Sequence, residues 1–180
     1  MLHKYTSFVP HPTTAIAALV VVLGAAGCSS ATEAPSDAPP PTTSAASSTP
    51  PQALGRQEIV RRAGHDLAFY LTPGDGGTIV LDAGGGNDAT YWNGIVPDLA
   101  AATGAAIVTY DRTGAGQSDD VPGAFDPSAA GEDLAAGLES LDLPDGPVVL
   151  AGHSIAGEVA HALVNTHPDI VDGAVLIDAN

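Results

Sequence analysis

The segment Pro147-Val148-Val149-Leu150-Ala151-Gly152-His153-Ser154-Ile155-Ala156-Gly157 runs from a short apolar strand pattern into a helical pattern, with one serine at the junction. Ile155, Val159 and Leu163 then fall in line on one helix face. A serine held between a strand and a helix, with small residues at both flanks, sits on a very sharp turn. A side chain larger than a methyl at Gly152 or Ala156 would collide with neighbouring backbone there. The turn lifts the serine oxygen clear of the sheet edge, and the next amide points into the same space. Ser154 is therefore the candidate nucleophile, and the Ile155 amide a candidate donor to an oxyanion.

Outward from this turn the pattern alternates between strand and helix. Gln57 to Arg62 and Leu67 to Leu71 flank Ala63-Gly64-His65-Asp66 and read as an antiparallel hairpin. Thr78 to Asp82 is a short buried strand, and a helix is predicted from about Tyr91 to Thr103. Ala106 to Asp111 is the next strand. Asp126 caps and Pro127 opens a helix with Leu134, Leu138 and Leu141 on one face. The helix after Ser154 runs to about Asn165, and Gly173 to Ile177 is a last buried strand. Short, β-branched, non-alternating strands separated by helices predict an α/β fold. It is a mostly parallel sheet with an N-terminal antiparallel hairpin and helices on both faces.

Asp82-Ala83-Gly84-Gly85-Gly86-Asn87 follows the first parallel strand. In such a sheet, ligands bind beyond the carboxyl ends of the strands, where this loop and Ser154 both lie. Glycines let amides face a ligand, and an oxyanion needs two such donors. Gly85 is the candidate for the second, beside Ile155. A rival reading is a dinucleotide site. Gly84-x-Gly86-x-x-Ala89 fits the loose fingerprint after a strand, and Asp111 closes the next strand as a ribose-binding acid would.

The second loop is Tyr110-Asp111-Arg112-Thr113-Gly114-Ala115-Gly116-Gln117-Ser118-Asp119. Asp-Arg-x-Gly-x-Gly-x-Ser after one strand, then Gly-His-Ser-x-small-Gly after the next, resembles the α/β-hydrolase fold family, and its esterase and lipase members most. The resemblance covers roughly Gln57 to Asn180. It implies acyl transfer to water with Ser154 as nucleophile and an oxyanion hole from Gly85 and Ile155. It implies no cofactor, and an architectural role for the Asp111-Arg112 loop. Two positions depart from the usual pattern: Ala83 precedes Gly84 where histidine is usual, and Ala156 replaces a second elbow glycine. Serine at position 154 rules out an aspartate nucleophile.

A serine hydroxyl needs a base within about 3 Å. The family resemblance places that histidine after the last strand, beyond position 180. His65 lies in the hairpin, and His153 abuts Ser154 but points away from it. His161 is seven residues along the helix, about 10 Å at 1.5 Å per residue, and His167 is farther. Asp178, at the end of the last strand, is a candidate acid. The expectation is thus a partial α/β-hydrolase domain that stops before its base histidine, with an exposed apolar edge at its last strand. A catalytically inactive surface lipoprotein is the alternative.

Residues 1–27 read as a signal peptide, with His3 and Lys4 before an apolar run from Ala15 to Leu23. Ala-Ala-Gly-Cys at 25–28 resembles a bacterial lipobox, which implies acylation at Cys28 and a lipid anchor at the cell surface; plain secretion is the alternative. Residues 28–54 form a Ser/Thr/Pro/Ala tether, and residues 55–180 the globular domain. Cys28 is the only cysteine, so no internal disulfide forms. A formal net charge of −16 with five Lys and Arg excludes a nucleic-acid partner and a basic membrane-binding face. No metal-ligand spacing is present. The expected partner is a small ester-type substrate, membrane contact is through the anchor alone, and no feature fixes an oligomeric state.

Overall fold

The computed structural model describes residues 54–179. The signal peptide, Cys28 and the tether lie outside the described residues. Strands β1 (Arg56–Arg62) and β2 (His65–Thr72) form the hairpin. Their turn has two residues, Ala63 and Gly64, with φ of 51° and 94°. Both are in the left-handed region, as a primed hairpin turn with the native strand twist requires. β2 continues antiparallel onto β4 (Ala106–Tyr110), pairing Phe69 with Tyr110. β3 (Thr78–Asp82) lies parallel between β4 and β5 (Val148–His153), and β6 (Gly173–Ile177) closes the row. The order is β1-β2-β4-β3-β5-β6.

Side chains alternate across this sheet and build a core on each face. On one face Leu67, Phe69, Val80, Val108 and Leu150 pack with Leu134 and Leu138 of α2 (Pro127–Ser140) and Val159 and Leu163 of α3 (Ala156–Thr166). On the other, Leu81 and Ile107 meet Trp92 and Val96. The mixed sheet and two-sided helix packing match the sequence expectation.

The helix expected from Tyr91 to Thr103 is corrected to two pieces. A short 3-10 helix, Ala89–Trp92, is capped by the Asp88 carboxylate, which accepts from the Thr90 amide at 2.9 Å. Helix α1 begins only at Val96 and runs to Thr103. Pro97 explains the break: it has no N–H to give and is tolerated only in a first turn. Likewise α2 ends at Ser140, and Leu141 is its extended C-cap, although the Leu141 side chain stays buried.

The hairpin is tied to the helices by charge. Arg62 donates to Asp133 at 2.8 Å and to Glu132 at 3.2 Å. His65 lies 3.3 Å from Asp133, and His167 lies 3.0 Å from Glu132. The bond to His167 holds the Glu132 carboxyl below its ordinary range. At the far end of the sheet, Val175 and Ile177 of β6 are 44% and 42% exposed. Among the described residues, no helix is long and apolar enough to cross a membrane.

Candidate active site

The chain leaves β3 toward β4 on one side, while β5 lies against its other side. The crevice where these connections part is where ligands bind in open α/β sheets. Two loops meet there, one after β3 and one after β5.

Ser154 has φ 55°. A non-glycine residue there is uncommon and strained, and persists only where the surroundings hold it. They do: the Ser154 amide donates to the Ile177 carbonyl at 3.0 Å, and the Ser154 carbonyl accepts from Gly157 at 2.9 Å. β6 thus grips the turn from one side and α3 from the other. Gly152 permits this tightness, since a Cβ there would stand 3.1 Å from the Ala156 Cβ and 3.2 Å from the Ala156 carbonyl oxygen.

The glycine loop lies directly on this turn. A Cβ on Gly84 would sit 2.6 Å from His153 Nδ1 and 3.6 Å from the Ser154 Cβ. One on Gly85 would sit 3.7 Å from the Ile155 Cγ2. The structure therefore brings together three of the residues expected from sequence: Ser154, Gly85 and Ile155. Among the described residues, neither the Gly85 amide nor the Ile155 amide donates to another protein backbone group. Beside them an open cavity of about 410 Å³ is lined by Gly85, Asn87, Arg112, Phe125 and Ile155, among others.

Asp178 follows β6 with φ 45°, exposed at the same strand end. Among the described residues, no histidine is placed to pair with it. His65 and His167 hold Asp133 and Glu132, and His161 is exposed on α3. His153 stacks on Tyr91, with ring centroids 5.4 Å apart, and its Nδ1 is buried without a partner. Among the described residues, no group of three or more His, Cys, Asp or Glu could hold a metal ion.

The loop after β4 reaches across to the glycine loop. Arg112 Nη1 donates to Asp82 Oδ1 and, at 2.5 Å, to the Ala83 carbonyl; Nη2 donates to the Gly84 carbonyl at 2.9 Å. Both side chains are buried. Burial pushes the Asp82 carboxyl up to about 6, although Arg112 pulls it down. Tyr110 is pushed well above its ordinary value by burial, with Asp82 adding to the effect. Sequence reasoning did not foresee these contacts of Arg112. Its position just past a strand end was the available signal, but two of its three acceptors are backbone carbonyls of another strand's loop.

The dinucleotide reading gains no support. The Asp111 carboxylate already accepts from the Ala89 amide at 2.8 Å, the Gln117 amide at 2.8 Å and the Tyr70 hydroxyl at 2.9 Å. It is not free for a ribose. The element after Ala89 is a four-residue 3-10 turn, not a helix whose dipole could hold a pyrophosphate.

A profile of the alpha/beta hydrolase fold matches residues 77–180. An uncharacterized protein of Mycobacterium tuberculosis is 32% identical over 116 residues, which cover 64% of this chain and 33% of that protein. The sn-1-specific diacylglycerol lipase ABHD11 of Mus musculus is 32% identical over 114 residues, covering 62% of this chain and 36% of the lipase. Among solved structures, a thermophilic esterase from Thermogutta terrifontis superposes with a TM-score of 0.60 at 26% identity, covering 70% of this chain and 46% of the esterase. The chain thus spans little more than a third of these curated relatives. Because the profile match covers more than half of the chain and includes the strand, turn and helix that carry Ser154, the chain belongs to the alpha/beta hydrolase fold family.

Proposed function

We propose that Ser154 is the nucleophile of an ester-cleaving serine hydrolase. The observation that carries this reading is the strained Ser154 turn pressed against a glycine loop, with the Gly85 and Ile155 amides beside it donating to no backbone group among the described residues. In this reading Ser154 Oγ attacks an ester carbonyl carbon while a base takes its proton. The two amides hold the oxyanion as it forms. Collapse expels the alcohol, and water then cleaves the acyl-serine by the same route. Acyl transfer of this kind needs no cofactor. Asp178 remains the candidate acid. The base is the missing partner, since no described histidine is placed for it, and a histidine from outside the described residues would fill that role.

A site with its nucleophile and oxyanion donors, but no base among the described residues, should respond to a base from solution. Imidazole is expected to raise acylation of the 180-residue chain by p-nitrophenyl acetate several-fold, with saturation, above the imidazole background. Ser154→Ala should follow the background alone. Equal rates for the two proteins would instead favour the inactive surface lipoprotein, a reading supported by the absence of a base among the described residues.

We further propose export and anchoring through Cys28, on the strength of the apolar run and the Ala-Ala-Gly-Cys segment. In a bacterial host, Cys28→Ala is expected to move the protein from the detergent phase to the aqueous phase on phase separation. Unchanged partition would leave Cys28 without that role.

A further inference from the structure

We propose that Arg112 is a positioning residue for ester cleavage at Ser154: its guanidinium draws the Ala83 and Gly84 carbonyls to one side and so fixes the Gly85 amide on the other. This rests on the hydrolase reading above. The argument begins with the peptide unit. In a trans peptide the C=O and N–H point in opposite directions. The Gly84 carbonyl and the Gly85 N–H belong to one such unit, so holding the oxygen toward Arg112 at 2.9 Å aims the N–H away from it. Ser154 and Ile155 lie against the same loop.

Gly84-Gly85-Gly86 cannot hold this orientation by itself. Glycine has no Cβ to bar rotation of the peptide plane. An external lock is needed, and Arg112 has the form for it. Its planar fork reaches a carboxylate and two carbonyls together, whereas a lysine is a point charge. Asp82 completes the lock by neutralising and aligning the guanidinium. The only other bond to the Gly84 carbonyl from the described backbone is the Asn87 amide at 3.2 Å, at the long end of the range and too weak to fix the carbonyl once the clamp is gone.

The test uses Asp82→Asn/Arg112→Met, which removes the clamp without stranding a buried charge, and Arg112→Lys, with near-UV circular dichroism confirming the fold. The first readout is amide hydrogen exchange by NMR. Asn87 should exchange at least about tenfold faster in the double variant, while Ala89, held by Asp111, should not change. The second is imidazole-assisted acylation of Ser154. Its rate above background should fall to that of Ser154→Ala, since losing one oxyanion donor costs about 100-fold or more, and Arg112→Lys should fall in between. Wild-type Asn87 exchange in the folded double variant overturns the clamp, and unchanged acylation overturns its role at Ser154. Acylation of the wild type no faster than Ser154→Ala, together with faster Asn87 exchange, overturns the hydrolase reading while supporting the lock.

Discussion

Arg112→Met alone is expected to cost about 3–5 kcal/mol of folding stability at pH 8, the scale of stranding one partner of a buried ion pair. The cost should be smaller at pH 5. Asp82 is fully buried and its carboxyl already sits at about 6, above the ordinary 3.8, with Arg112 the largest influence pulling it down. Without Arg112 it rises further. A carboxyl raised in the folded state gives its full contribution below its unfolded value and loses it as pH rises through the folded one. The variant therefore meets pH 5 with Asp82 neutral, whereas at pH 8 Asp82 must either stay charged without a partner or take up a proton that the unfolded chain would release. Urea midpoints at both pH values, for the single variant and for Asp82→Asn/Arg112→Met, check this. The double variant should recover most of the loss at pH 8. A single variant equally stable at both pH values would count against a charged, buried Asp82.

Gly137→Ala is the second large effect, and its sign opposes helix propensity. In an open helix the change would gain up to about 1 kcal/mol. Here a Cβ would overlap Cζ and Cε1 of Phe69 and lie 2.6 Å from Cε2. Phe69 is fully buried and stacked on Tyr110, with ring centroids 5.2 Å apart and planes 11° apart. The ring cannot retreat without disturbing the pairing of β2 with β4. Overpacking of this kind typically costs about 1–3 kcal/mol, and overlap this deep belongs at the upper end, so a net loss of up to about 2 kcal/mol remains after the propensity gain. A lowered urea midpoint with an unchanged slope is the confirming result; a raised midpoint would show that α2 can shift outward.

The strands and the Ser154 turn were legible because their signals are local. Val148 to Ala151 is apolar and β-branched, and the small residues at Gly152 and Ala156 stand beside the serine itself. The break at Pro97 was legible too, but the apolar residues on either side invited one long helix. What could not be read was long-range and made by the backbone. No residue pattern says that Arg112 will reach the carbonyls of Ala83 and Gly84, because carbonyls carry no sequence identity. The link among Arg62, His65, Glu132, Asp133 and His167 was hidden for a related reason. It joins three elements whose charges, taken one element at a time, look like solvated surface.

The pairing of β3 bears on when the site comes into being. Leu81 pairs with Thr109 on one side and with Ala151 on the other. The hairpin of β1 and β2 closes over a two-residue turn, whereas β3 finds its second partner only after α2 and its flanking loops have been brought round. Closing so long a loop is entropically expensive and slow. Gly84 and Ser154 therefore meet at the most non-local pairing among the described strands. A partly folded chain carries its serine on a strand end with no glycine loop against it, so whatever reactivity Ser154 acquires arrives only with the completed sheet.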